Sequence, residues 1–131
     1  MDILLDTHAL IWYLEGDKQL SENAQNHIQN TQNTIYASHI NFFEMAIKMK
    51  LGKIITKRNL GEFIKATKDS FIEILPSDEE HFTKYLEIPL IAEHRDPFDR
   101  MLVATAVYEN LSIISVDEKL GHYTDLVKII W

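Results

Sequence analysis

Five carboxylates stand where burial should make an acid costly. Asp6 closes the apolar run Ile3-Leu4-Leu5, and Asp117 closes Ser112-Ile113-Ile114-Ser115-Val116. Glu44 has Ile40 and Ile47 as helical neighbours at i−4 and i+3. Asp99 has Leu102 and Val103 at i+3 and i+4, with Asp96 one turn before it. An ionised carboxylate in such surroundings must be paired, hydrogen-bonded or metal-bound, or it takes up a proton. If Asp6, Glu44, Asp99 and Asp117 converge, repulsion couples them, and at least one keeps its proton unless a cation joins the set. Hard oxygen donors, with no Cys in the chain and no His at ligand spacing, favour Mg²⁺ or Mn²⁺ over zinc. One or two such ions can activate a water and stabilise the leaving oxygen of a phosphodiester.

Each acid also has a plainer reading. Asp6 and Asp117 can serve as strand-end turn residues. Glu44 can pair with Lys48 at i+4, a common surface arrangement. Asp96 is a good helix N-cap before Pro97 at N1, and Asp99 at N3 suits the helix dipole. We read Asp96 mainly as a cap with a secondary share in metal binding, and Asp99 mainly as a ligand.

The elements that must position these acids can be read from the same chain. Ile3-Leu4-Leu5 reads as a buried strand. Thr7 is expected to cap a helix carrying Leu10, Ile11 and Leu14. Ser21 caps a second helix with Ala24 and Ile28 on one face. Thr34 to Ala37 is β-prone, and Ser38 caps a helix running to about Met49, with Gly52 ending it. Further helices are expected over Asn59–Lys68, Asp78–Leu86 and Asp96–Tyr108. Further strands are expected over Phe71–Leu75, Ser112–Val116 and Val127–Ile130. The strands are continuous apolar runs alternating with helices, which predicts an α/β fold with a mostly parallel sheet covered on both faces. Ligands in such folds bind beyond the carboxyl ends of strands, where strand order reverses.

Composition limits the classes open to such a protein. The 131 residues are 46% hydrophobic and 25% charged, which excludes a disordered tail or a fibre and predicts one domain over 1–131. The formal charge of −7 excludes a generic basic nucleic-acid coat. Without Cys there is no disulfide framework and no thiol nucleophile. The opening Met1-Asp2-Ile3-Leu4-Leu5-Asp6 carries acid where a signal peptide carries Lys or Arg, so a soluble, cytoplasmic protein is expected.

Four blocks of sequence carry a family resemblance. Leu4-Leu5-Asp6-Thr7-His8-Ala9-Leu10-Ile11-Trp12 resembles the opening motif of PIN-domain nucleases. Phe43-Glu44-Met45-Ala46-Ile47-Lys48, with Leu51-Gly52-Lys53, resembles their second acidic block. His94-Arg95-Asp96-Pro97-Phe98-Asp99-Arg100-Met101-Leu102-Val103-Ala104 resembles the third, and Ser115-Val116-Asp117 the fourth. Ser115 stands where many relatives have Thr, so the hydroxyl is kept. The blocks run in family order over nearly the whole chain, and the closest group is the VapC-type toxins of type II toxin–antitoxin pairs. The resemblance implies a three-layer α/β/α fold with strand order 3-2-1-4-5. It also implies an Mg²⁺- or Mn²⁺-dependent ribonuclease, usually a homodimer, held inactive by a cognate antitoxin. By position, Asp6, Glu44, Asp99 and Asp117 match the acidic quartet.

The mechanism expected from these residues needs no side-chain nucleophile. Asp6, Asp99 and Asp117 hold one or two ions, and Glu44 completes the shell through water or positions the attacking water. In-line attack at phosphorus expels the 3′ oxygen and leaves a 5′ phosphate. For RNA contact, Lys48, Lys50, Lys53, Lys57 and Arg58 place five bases and no acid in eleven residues, and Arg95 and Arg100 flank the third block. Of these, Lys48, Lys50, Lys53, Arg95 and Arg100 are the candidate phosphate contacts. The six His residues form no ligand set by spacing, and His8 and His94 are expected to cap, turn or lie at the surface. Two rival readings are a catalytically inactive PIN-like interaction module and a metal-dependent phosphatase with Asp6 as nucleophile. The phosphatase reading lacks its usual second Asp, because position 8 is His.

Overall fold

The computed structural model describes residues 1–131. Five strands form one sheet: β1 (Asp2–Leu5), β2 (Thr34–Ser38), β3 (Glu73–Leu75), β4 (Ser112–Ile114) and β5 (Ile129–Ile130). Every neighbouring pair is parallel, and the order is β3-β2-β1-β4-β5. The expected architecture and strand order are both present. Between the strands run α1 (Thr7–Glu15), α2 (Glu22–Gln29), α3 (His39–Lys50), α4 (Leu60–Asp69), α5 (Glu79–Tyr85) and α6 (Pro97–Glu109), and a 3₁₀ helix covers Glu118–Tyr123.

The period-2 alternation of β1 divides the core. Ile3 and Leu5 face a cluster built with α1, α2, α3 and α4 through Leu10, Ile28, Met45 and Phe63. Leu4 faces the other side, against Leu102 and Val103 of α6, Ile113 of β4 and Tyr123. All three β1 residues are fully buried, which is why the strand reads as an unbroken apolar run. Each such side chain contributes about 1.5–3 kcal/mol of burial free energy.

Helix starts follow the polar residues that the sequence offers. Ser21, Ser38 and Asp96 cap their helices as expected, and Asn59 and Asp78, expected as first helical residues, are caps as well. The cap of α1 is a correction. Asp6 takes that position rather than Thr7, because Asp6 keeps the extended backbone of β1 (φ −73°, ψ 168°) while its Oδ1 accepts from the Ala9 N–H at 2.7 Å. Thr7 is thereby the first helical residue, with its hydroxyl turned inward. Three strands, β3, β4 and β5, are also shorter than expected. Phe71 adopts a left-handed conformation (φ 60°), so β3 begins only at Glu73. Past Ile114 the chain turns, and the Ser115 hydroxyl accepts from the Asp117 N–H at 3.0 Å.

Candidate active site

Strand order reverses between β1 and β4, and the two segments that leave their carboxyl ends diverge there. Asp6 follows β1 and Asp117 follows β4. Helix α3 brings Glu44 to the same place, and the first turn of α6 brings Asp96 and Asp99. The side chains of Asp6, Glu44, Asp96, Asp99 and Asp117 line one cavity of about 130 Å³, together with Thr7, His8, Lys48 and Val116. The sequence-predicted quartet therefore converges.

Each carboxylate is held by its own local structure. Asp6 and Asp96 are both helix N-caps, with Asp96 Oδ1 accepting from the Phe98 N–H at 2.8 Å and the Asp99 N–H at 3.2 Å. Asp117 caps the 3₁₀ helix by accepting from the Lys119 N–H at 2.9 Å. These caps leave each acid with oxygen lone pairs directed to the cavity, so the plainer readings and the ligand readings are compatible. Glu44 is held differently. Its Oε1 accepts from the Thr7 hydroxyl and its Oε2 from the Lys48 ammonium, each at 2.5 Å. The pair with Lys48 is no surface arrangement, since Glu44 is only 3% exposed.

Asn41 was missed by the sequence reading. It is completely buried, and its Nδ2 donates to the Leu5 carbonyl at 3.2 Å and to Thr7 Oγ1 at 3.1 Å. Its Oδ1 accepts from the Ser38 N–H at 2.7 Å. One amide thus closes the start of α3, ties it to the end of β1 and sets the hydroxyl that orients Glu44. The signal for it in the sequence is an Asn three residues after a Ser cap, where a capping box has an acid or amide.

His94 was expected to cap, turn or lie at the surface. It is instead 1% exposed, with Nε2 3.1 Å from Asp99 Oδ2 and Nδ1 2.9 Å from the Tyr123 hydroxyl. Burial lowers its pKa, against the raising influence of Asp117 and Asp96. One ligand-capable atom from each of His94, Asp99 and Asp117 lies within 4.8 Å of the others.

Arg100 is a second correction. It is 3% exposed and donates to the carbonyls of Ile88 (3.1 Å) and Pro89 (2.8 Å), with its guanidinium over the Tyr85 ring. A side chain so enclosed cannot reach an RNA phosphate. Lys48 is half-buried and committed to Glu44. Lys50, Lys53 and Arg95 are exposed.

The electrostatics of the cavity follow from this crowding. Asp99 is pushed up to about 8, first by burial and then by Asp96, Asp117 and Glu44. Asp6 is also raised, because burial outweighs the Ser115 hydroxyl and the Ala9 N–H that favour its ionised form. The expectation that one member of the set keeps a proton is met at Asp99. Lys48 is the only Lys or Arg lining the cavity. Its pKa is raised: burial would lower it, but Glu44, Asp96 and Asp99 together prevail. A set of hard oxygen donors that retains a proton near neutral pH, for want of positive charge, suits a hard divalent cation. Mg²⁺ and Mn²⁺ fit that donor set.

The profile of the PIN domain family matches residues 3–126. No curated protein matches the chain. Among solved structures, the fold is similar to VapBC2 from Rickettsia felis bound to a DNA fragment from their promoter. The TM-score is 0.71 at 18% identity, covering 100% of this chain and 99% of that one. It is similar to FitAcB from Neisseria gonorrhoeae, with TM-score 0.66 and 20% identity over 98% of this chain and 96% of that one. It is also similar to VapBC-1 from nontypeable Haemophilus influenzae, with TM-score 0.64 and 18% identity over 99% and 97%. At these identities the likeness is one of fold.

Proposed function

Since the chain belongs to the PIN domain family, we propose that it is a divalent-metal-dependent endoribonuclease, the VapC-type toxin of a type II toxin–antitoxin pair. The observation that carries this reading is the cup: acids from four separate stretches of chain line one cavity, and Asp99 holds a proton up to about pH 8. Such a cup is poorly suited to a polyanionic substrate until a cation enters it. The similar folds of VapBC and FitAcB support an antitoxin as partner.

In this reading Asp6, Asp99 and Asp117 hold one or two Mg²⁺ or Mn²⁺ ions. Glu44 contributes through water, because Thr7 and Lys48 already engage its two oxygens. Asp96 has a secondary share. A cation held by these residues would supply Lewis acidity, lowering the pKa of a water and offsetting charge on the leaving 3′ oxygen. The chain itself supplies position. Helix caps fix Asp6, Asp96 and Asp117, and Asn41 fixes Glu44 through Thr7. Lys48 offsets part of the charge that an approaching phosphate meets. Exposed Lys50, Lys53 and Arg95 contact phosphates beside the cup. We read residues 1–131 as one domain acting as a homodimer in the cytoplasm. No helix is long and apolar enough to cross a membrane.

Purified protein is incubated with RNA, and separately with a phosphate monoester, under Mg²⁺, Mn²⁺ or EDTA. RNA should be cut to 5′-phosphate ends only with a cation present. Asp6→Asn and Asp99→Asn should abolish cutting with the fold intact, because Asn preserves the Asp6 cap. Monoester turnover without RNA cutting would replace this reading with the phosphatase, and neither activity would favour the inactive module. Full metal-dependent activity in either variant would discard the site assignment.

A further inference from the structure

Behind Asp99 runs a line of buried polar groups that the chemistry above does not use. His94 bridges Asp99 Oδ2 (3.1 Å) and the Tyr123 hydroxyl (2.9 Å). Tyr123 is fully buried, and its hydroxyl also lies 3.4 Å from Nη1 of Arg100. Arg100 has no carboxylate in ion-pair reach, being held by the carbonyls of Ile88 and Pro89 and by Tyr85.

The donor and acceptor capacities of these groups fix a direction. A guanidinium only donates, so the Tyr123 oxygen accepts from Arg100, and His94 Nδ1 is the one acceptor in reach of the buried Tyr123 proton, which therefore points to it. Nδ1 therefore accepts, the imidazole proton sits on Nε2, and Nε2 donates to Asp99. Every hydrogen in the line points towards the acid.

We propose that His94 is a positioning residue: Arg100 and Tyr123 hold it as the Nε2–H tautomer, and it anchors Oδ2 of Asp99 so that the carboxylate's remaining lone pairs face Asp117 and a divalent cation. This rests on the cation-centre reading of the cup. His94 is no ligand in this arrangement, because Nε2 carries the proton and the Nδ1 lone pair is engaged by Tyr123. Partners that orient a ligand in this way typically govern about 10–100-fold of metal affinity.

The test uses the full chain without RNA, with Mn²⁺ titrated by calorimetry and the His94 tautomer read from long-range ¹H–¹⁵N correlations. Wild type should show a protonated Nε2 and an unprotonated Nδ1. His94→Leu should lose Mn²⁺ affinity at the upper end of that 10–100-fold range, roughly, and Tyr123→Phe at the lower end. His94→Gln, whose amide can still donate to Asp99, should keep most of the affinity. Tyr123→Phe fills the same space, so it decides the matter if His94→Leu does not fold. A protonated Nδ1 in wild type, or Mn²⁺ binding unchanged in Tyr123→Phe and His94→Leu, overturns the inference and leaves the cup reading intact. Wild type that binds no Mn²⁺ overturns both.

Discussion

Lys48 places its ammonium 2.5 Å from Oε2 of Glu44, so the acidic cup carries one cation of its own. The two residues are one helical turn apart on α3, and the spacing alone describes an ordinary surface pair. Burial changes what the pair does. The carboxylate is enclosed, and the ammonium lies within the field of Asp96 and Asp99 as well.

A fixed positive charge at that point competes electrostatically with a divalent ion. Lys48→Gln should therefore bind Mn²⁺ more tightly than wild type, and the gain should shrink as salt is added. The same variant should melt at lower temperature in EDTA, because Glu44 loses its charged partner, and should regain most of the loss with Mn²⁺ present. Calorimetric titration and thermal unfolding check both. Weaker Mn²⁺ binding in the variant would mean that Lys48 supports the ion rather than standing in for it.

Asp99 makes stability depend on pH in a definite direction. Its folded pKa is about 8, against 3.8 for an ordinary Asp, with burial the main cause and Asp96 the next. Between those values the folded state binds more protons than the unfolded state, so stability falls as pH rises. The loss is complete above the folded value. Without cation, the melting temperature should decline from pH 5 to pH 8, and Asp99→Asn should flatten that decline. A cation and the Asp99 proton compete for one carboxylate, so Mn²⁺ affinity should rise over the same interval and binding should release protons. Calorimetry in two buffers of different ionisation enthalpy counts them. A wild-type curve that climbs towards pH 8 in EDTA would contradict the account.

The acids were legible in the sequence because burial of a charge is rare enough to be informative. Asp6 and Asp117 at the ends of apolar strands, and Glu44 and Asp99 on apolar helix faces, each broke a hydrophobic pattern. The sheet was legible because β1 and β4 are apolar on both faces. What supports the acids was not legible. Asn41, His94 and Tyr123 have partners distant in sequence, as in the separation of 29 between His94 and Tyr123. No local periodicity records such a pairing. Arg100 misled for a related reason: beside an acidic block an Arg reads as a phosphate ligand, and only the fold shows that the α5–α6 segment encloses it.

Lys50, Lys53 and Arg95 are exposed and make a different kind of prediction. Replacing all three with Gln should weaken RNA binding uniformly across sequences. The slope of log affinity against log salt should flatten by up to about 0.7 for each single-strand phosphate that is no longer neutralised. Mn²⁺ affinity should not change, since none of the three lines the cavity. Filter binding of RNA to the Asp99→Asn protein, across a salt series, isolates this from cleavage. An unchanged slope would remove these residues from the substrate path.

Arg100→Met should behave in the opposite way, as a stability variant. Its guanidinium fastens the carbonyls of Ile88 and Pro89, which lie in the segment joining α5 to α6. Met fills part of the space and covers the Tyr85 ring, but it cannot donate to either carbonyl. Leaving the buried Ile88 carbonyl without its partner should cost about 1–3 kcal/mol, with a smaller loss at the part-buried Pro89 carbonyl. Urea unfolding should show this as a lower midpoint at unchanged slope, since the surface exposed on unfolding is the same. Salt dependence of RNA binding in the folded protein should match wild type, because Arg100 touches no phosphate. A stable variant with a flattened salt slope would restore Arg100 to the RNA-binding surface and would require the α5–α6 segment to open in solution.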